Sequence, residues 1–216
     1  MESAEQVGHA VGTLLDEFQS FPPEVVSRTR QAALAAVARW RWTDIGAPGI
    51  GDFHADLWGG ERFPWHEARP NADDPAHCGL DADGRVRVIR HASVSTEQVV
   101  EHSPERVRSL MLDAQGTLGG IEDVFVDGGR YRFAVAVTRE MWSYSRHEYD
   151  DRRLRSVWHV RHLAGEPRPV AVLMTLKYDR RGRFKDVVPT IEGSAPLPEM
   201  PPAPSASSIT GVADRP

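Results

Sequence analysis

The sequence predicts an α+β fold in which an N-terminal helical hairpin packs on a curved antiparallel β-meander. Three observations carry this prediction: helical spacing of apolar residues near the N-terminus, recurrent Asp and Gly turn signals between alternating segments in the second half, and a proline-rich end without aromatic residues. The 216 residues suit one domain plus a tail. We expect the helical hairpin at residues 1–42, a loop region at 43–79, the sheet at 80–192 and a disordered tail at 193–216.

Two helices are predicted in the first region. Apolar residues that share one helical stripe define the first helix, and Pro22-Pro23-Glu24 ends it and favours a new helix start. The second helix is predicted over residues 23–42, joined to the first by a very short turn. The residues expected to face the core are Val7, Val11, Leu14, Leu15, Phe18, Val26, Ala33, Val37 and Trp40.

The loop region at residues 43–79 combines glycines and prolines, which forbid a long helix, with aromatic rings too numerous for a disordered linker. A long ordered loop in a compact domain is more often functional than average. We therefore expect this loop to supply the binding residues, with Trp58 beside Gly59-Gly60 as the exposed ring. The candidate binding residues are Phe53, Trp58, Phe63 and Trp65.

The sheet is predicted from turns in which Asp bonds its own backbone ahead and Gly accepts positive φ. Such turns occur at residues 80–86, 112–118, 126–131, 149–154 and 178–184. Apolar residues alternate between the turns and indicate an antiparallel meander of about eight strands. One predicted row joins Tyr131, Phe133, Val135 and Val137. The proline-rich tail is too poor in apolar surface to fold, and we expect it to be removable.

Tyr149-Asp150 and Tyr178-Asp179, each followed by arginine and an apolar residue, resemble the tyrosine-aspartate hairpin repeats of bacterial Rhs-type proteins. The resemblance covers the turns and implies a curved antiparallel sheet, with no activity. Antiparallel sheets with a helical layer also occur among immunity proteins of bacterial toxin systems and among cone-shaped small-ligand folds of the nuclear-transport-factor type.

The charge of the chain indicates which class of partner it binds. The formal net charge is −5, and 24 of the 26 basic residues are arginine. A net negative chain makes nucleic acid an improbable partner, whereas arginine suits protein interfaces. The sequence has no apolar run long enough to cross a bilayer and one cysteine, Cys78, so we expect a cytoplasmic protein without disulfides.

Metal binding is one alternative, because imidazole and carboxylate groups lie close together in the loop region. The candidate ligands are His54, Asp56, His66 and Glu67. Their spacing matches no metal motif, so the sequence predicts neither a metal nor another cofactor.

A second cluster lies on the predicted sheet. His147, His159 and Arg161, beside Thr175 and Lys177 of the following strand, would form an anion pocket or an acid-base site. The competing interpretation is a solvated face of the sheet. His147 is also expected to lie near Arg155 across the hairpin.

The favoured function is non-catalytic binding of another protein, as in immunity-type or adaptor proteins. The sequence lacks nucleophile-elbow, phosphate-loop and dinucleotide motifs, and Trp and Arg dominate the energetics of protein interfaces. The alternative is a small-molecule enzyme or binder whose cone-shaped pocket lies between helices and sheet, with His147 or His159 as acid or base.

Overall fold

The computed structural model describes residues 4–43, 65–71, 75–91, 96–150, 153–181 and 184–191. Within these ranges the chain forms two helices and eleven strands. The elements are α1 Ala4–Ser20, α2 Pro23–Ala36, β1 Arg39–Thr43, β2 Ala76–Leu80, β3 Val86–His91, β4 Glu97–His102, β5 Arg106–Leu112, β6 Leu118–Asp127, β7 Arg130–Thr138, β8 Met141–Asp150, β9 Arg153–Leu163, β10 Val170–Tyr178 and β11 Phe184–Ile191.

The strands form one sheet in chain order, and each strand is antiparallel to its neighbours. The antiparallel meander and the N-terminal helices are confirmed. The described part of the chain is, however, mostly β rather than a balanced α+β fold, because eleven strands form where about eight were predicted.

The second helix is shorter than predicted. It begins at Pro23, as expected, but ends at Ala36, and residues 39–43 form β1. Trp40 is therefore a strand residue, and the prediction that it lies on a helix is wrong, although its half-buried ring packs against the core between helices and sheet, as expected. The alternation of Arg and Trp in this segment fits a strand, and pairing with β2 satisfies its backbone. The predicted loop region is likewise interrupted, because β2 pairs with both β1 and β3.

The turn predictions are confirmed where the turns are described. Asp81 Oδ1 accepts hydrogen bonds from the backbone N–H groups of Asp83 and Arg85, and Gly84 has a φ of +83°. Between β6 and β7, Gly128 and Gly129 both have positive φ, as a two-residue hairpin turn requires. Residues 44–64, 72–74 and 192–216 lie outside the described residues, including most of the predicted loop and the predicted tail.

Both faces of the sheet carry buried apolar residues. The face towards the helices packs against α1 and α2, with α1 resting on β6, β7 and β8 and α2 on β3 and β4. A second cluster lies on the opposite face over β2 to β7, and a third on that face near the ends of β8, β9 and β10. The residues that fill the space between helices and sheet include Val11, Leu14, Val99, Leu110, Ile121, Val135 and Trp142.

Candidate interaction face

An aromatic row runs across the first three strands on the helix side of the sheet. Trp40 and Trp42 are two residues apart on β1, so both point to one side. The register places Trp42 opposite His77 of β2 and places His77 opposite Arg90 of β3. The pairing of these three strands therefore brings together residues that are far apart in the chain.

The rings and guanidinium groups of this row stack on one another. The centres of the His77 and Trp42 rings are 4.4 Å apart, and the two ring planes meet at 12°. The centre of the His77 ring is 4.7 Å from that of the Trp40 ring. Arg90 Cζ lies 4.5 Å from the centre of the Trp40 ring, and Arg69 Cζ lies 5.7 Å from that of Trp42. We call these five residues the tryptophan-arginine face.

Gly79 makes room for Trp40. It stands opposite Trp40 in the register of β1 and β2. A Cβ atom at Gly79 would come within 3.3 Å of the Trp40 ring and within 2.7 Å of the Val37 side chain. A side chain at this position would therefore force the Val37 side chain to move and would press against the edge of the Trp40 ring.

The face has an excess of positive charge. Glu97 accepts hydrogen bonds from Arg30 Nε at 2.6 Å and from Arg90 Nε at 2.9 Å, so two guanidinium groups share one carboxylate. Burial opposes ionisation of Glu97, but these hydrogen bonds outweigh it and lower the pKa of the carboxyl. Arg69 adds a further cation. Burial and the charge of Arg90 lower the pKa of His77, so its imidazole is neutral and contributes by stacking.

Of the predicted binding residues, only Trp65 lies within the described ranges. Its ring is half-buried and packs against the apolar cluster on the face opposite the helices. With Arg39, Arg41 and Leu80 it lines a recess of about 340 Å³. Phe53, Trp58 and Phe63 lie outside the described residues, so the choice of Trp58 as the exposed ring stays a prediction.

The candidate metal ligands are only partly described. His54 and Asp56 lie outside the described residues. His66 exchanges two backbone hydrogen bonds of 2.8 Å with Trp42, and exposed Glu67 lies 3.4 Å from Arg41. Within the described ranges no three His, Cys, Asp or Glu side chains are placed to hold a metal ion.

The histidines of the second predicted cluster lie on the face of the sheet away from the helices. His147 pairs with Val157, not with a residue beside Arg155. An uninterrupted register from Tyr149 and Leu154 would place Ser156 opposite His147, and the shift at Glu148/Tyr149 moves the pairing one residue further, to Val157. His159 accepts or donates a hydrogen bond at Nδ1 with Ser145 Oγ, 2.8 Å away. Burial, with the charge of Arg161, lowers the pKa of His159.

The prediction that Thr175 and Lys177 of β10 lie beside these histidines is wrong. His159 and Arg161 pair with Val172 and Val170. Thr175 instead pairs with Ser156, whose hydroxyl bonds Glu148 on the helix side of the sheet. The acid-base cluster therefore lacks Thr175, and it does not face the space between helices and sheet.

Sequence reasoning missed the residues of the tryptophan-arginine face. The helix predicted over residues 23–42 includes both Trp40 and Trp42, and no sequence motif points to Arg69 or Arg90. The available signal was the strict alternation of Arg and Trp over residues 39–42, which is typical of a strand with two different faces.

Comparison of the chain with protein-family profiles, with curated proteins and with solved structures finds no match. In the part of the chain that the structure describes, neither helix has the length and apolar character to cross a bilayer.

Proposed function

We propose that this protein is a non-catalytic protein-binding module that holds an acidic surface of another protein on its tryptophan-arginine face. The observation that carries the proposal is the stack of two half-exposed tryptophans with a guanidinium group over each ring. An immunity-type or adaptor protein is the class that fits this mode of action.

The stack suits protein binding because its side chains are already ordered. Trp and Arg contribute most to interface energetics, and rings fixed before binding lose little conformational entropy. A guanidinium group lying over a ring keeps its N–H edge available for a bidentate bond to a carboxylate. The positive face on a chain of net charge −5 also favours approach of an acidic partner in one orientation.

A single-stranded nucleic acid would use such rings differently. Its bases stack on exposed aromatic faces. Here His77 covers a face of Trp42 at 4.4 Å and also contacts Trp40, while Arg69 and Arg90 lie over the same rings. The engaged ring faces favour contact through ring edges and guanidinium groups, as in a protein interface.

The test uses the double variant Arg69→Gln/Arg90→Gln, which removes both cations without adding negative charge. Arg146→Gln is the matched control, because Arg146 lies 5.9 Å from the Trp158 ring on the distant strands β8 and β9. Proteins retained by the tagged wild type in native cells are identified, purified and titrated against all three proteins by calorimetry. We expect the double variant to bind about tenfold or more weakly and the control to match the wild type.

Two outcomes would reject the proposal. One is a purified partner whose affinity is the same for the wild type and the double variant. The other is retention of single-stranded nucleic acid instead of protein, with loss of that retention in the double variant.

A second candidate function is acid-base chemistry on a small molecule, favoured by the contact of Ser145 with His159. A neutral imidazole 2.8 Å from a hydroxyl can accept its proton and activate the oxygen. A fluorophosphonate probe should then label Ser145 in the wild type and fail to label the variant His159→Gln. Absence of labelling in the wild type would remove this candidate.

A further inference from the structure

A cavity of about 860 Å³ opens at one edge of the sheet, against the ends of strands β7 to β10. In an antiparallel meander, the start of one strand and the end of the next lie at the same edge, so the start of β7, the end of β8, the start of β9 and the end of β10 come together there. The cavity lies far along the sheet from the tryptophan-arginine face. Its lining residues are Arg130, Asp150, Arg153, Leu154, Arg155, Leu176 and Tyr178, and we call it the arginine cavity.

The lining of the cavity contains three guanidinium groups and one carboxylate, that of Asp150. Arg130, Arg153 and Arg155 are exposed, and none of them lies within ion-pair distance of a carboxylate among the described residues. Arg155 is an extra residue at a bulge, because Ser156 pairs with Glu148 whereas Leu154 pairs with Tyr149. The local charge, with Asp150 included, is strongly positive on a chain of net negative charge.

Tyrosine rings hold two of these arginines in place. Arg130 Cζ lies 5.5 Å from the centre of the Tyr149 ring, and Arg153 Cζ lies 5.8 Å from that of Tyr178. The Tyr178 hydroxyl donates a 2.6 Å hydrogen bond to the carbonyl oxygen of Leu154. The donors of Arg153 are thus positioned by a ring that is itself fixed to the sheet.

The floor of the cavity is apolar. Leu154 is 1% exposed and Leu176 6% exposed, and both belong to the cluster that includes Val157. A ligand that reached this floor would place an apolar group beside Leu176 and half-buried Tyr178, which also lines the cavity, while its anionic group met the arginines. The volume falls in the range of sites for small organic molecules.

We infer that the arginine cavity binds a small organic phosphomonoester, with the phosphate on the guanidinium groups and an apolar group beside Leu176 and Tyr178. The lining carries three guanidinium groups and one carboxylate, an excess of two positive charges that a phosphomonoester dianion matches. Glu148, outside the lining, lies within electrostatic reach of Arg155 and accepts a hydrogen bond from Arg146. Planar guanidinium groups also match phosphate oxygens in bidentate geometry. This inference does not rest on the proposed protein-binding function.

The experiment titrates the full chain with phenyl phosphate, inorganic phosphate and phenol by calorimetry at low ionic strength. We expect phenyl phosphate to bind more tightly than inorganic phosphate and phenol to show no binding. The variant Arg153→Gln/Arg155→Gln should bind phenyl phosphate about tenfold or more weakly, as should Arg130→Gln on a different strand. Arg132→Gln is the control, because Arg132 pairs with Asp127 at 3.1 Å on the nearby hairpin.

The inference is overturned if phenyl phosphate does not bind saturably, if the cavity variants bind it like the wild type, or if Arg132→Gln weakens binding equally. Equal affinity for inorganic phosphate and phenyl phosphate would also overturn it, since the apolar floor would then contribute nothing. Vesicles of phosphatidylcholine with phosphatidic acid separate the two sources of a phosphomonoester. We expect no sedimentation with them, whereas sedimentation lost in Arg153→Gln/Arg155→Gln would support the same chemistry on a lipid headgroup.

Discussion

A buried ion network fastens helix α1 to the sheet, and Asp123→Asn should disrupt it. Arg108 Nε and Nη2 each donate a 2.7 Å hydrogen bond to Asp123, and Nη2 and Nη1 also donate to Glu17 of α1. The side chains of Asp123 and Arg108 are 5% and 10% exposed, whereas that of Glu17 is 39% exposed. The hydrogen bonds to Asp123, ahead of those to Glu17, raise the pKa of Arg108 despite its burial.

The magnitude follows from what each variant leaves behind. Removal of one partner from a buried pair costs about 3–5 kcal/mol, because the other charge stays buried without compensation. In Asp123→Asn the amide oxygen still accepts one hydrogen bond and Glu17 still faces Arg108, so we expect a loss of about 2–3 kcal/mol in the free energy of unfolding. Glu17→Gln is the matched control, and at its more exposed position the loss should be about 1 kcal/mol or less.

Urea unfolding measures these losses, and the melting temperature of Asp123→Asn should fall by about 4–12 °C. The double variant Arg108→Met/Asp123→Leu should be less destabilised than Asp123→Asn, because no buried charge remains. A loss for Asp123→Asn no larger than that for Glu17→Gln would refute the reasoning, as it would show that the burial of the pair has no energetic weight.

Three further predictions concern packing and ionisation. Gly120→Ala should lower the free energy of unfolding, measured in urea, by about 2 kcal/mol, because its Cβ would lie 2.8 Å from a carbonyl oxygen of β7. Gly12→Ala is the control: its Cβ would meet open space on α1, so it should raise the free energy of unfolding by up to about 1 kcal/mol. Burial raises the pKa of Cys78 to about 12, so a thiol reagent at neutral pH should modify it only after unfolding; rapid modification of the native protein would contradict this. Burial and the charge of Arg161 lower the pKa of His159 in the folded state, so protonation of His159 favours the unfolded chain. The stability that neutral His159 contributes is therefore complete above the unfolded pKa of about 6.5 and is lost as the pH falls below it. His159→Gln should therefore flatten the decline in stability between about pH 7.5 and pH 5.5, and an unchanged decline would exclude this assignment.

The turns and the meander were predictable because their chemistry is local. Asp81 bonds the backbone two and four residues ahead, and Gly84 adopts positive φ, so both features are visible in a short stretch of sequence. The start of α2 was equally local, since Pro22 is extended and Pro23 takes the first helical position. Local signals of this kind predict the order of the elements along the chain, but they do not predict on which face of the sheet each side chain lies.

The faces of the strands were less predictable, because β-bulges depend on pairing. Tyr131 was expected on the same side as Phe133, yet it packs with the cluster on the opposite face. A register shift opposite Phe125/Val126 inserts an extra residue between the two rings and reverses the side. The shift at Glu148/Tyr149 likewise moves the partner of His147 from Ser156 to Val157, one residue further from Arg155. Neither bulge has a signature within its own strand.

The tryptophan-arginine face could not be derived from the sequence for a related reason. Trp42, His77 and Arg90 meet only because β1, β2 and β3 pair in one register, and β1 itself lay inside a predicted helix. Residues two apart on a strand share a side, but on a helix they point in different directions, so the error in secondary structure dispersed the stack. The same dependence on pairing applies to the arginine cavity, which collects the ends of four strands.

The two proposed sites provide a check on each other. The tryptophan-arginine face lies on β1 to β3 and the segment at residues 65–71, and the arginine cavity lies on β7 to β10. Strands β4 to β6 lie between them, and the sites share no residue. Variants at distant sites without shared partners have independent effects. Arg69→Gln/Arg90→Gln should therefore leave the affinity for phenyl phosphate unchanged, and Arg153→Gln/Arg155→Gln should leave partner binding unchanged. If either variant weakened both, the cause would be a general loss of positive charge or of structure, and neither set of arginines would define a specific site.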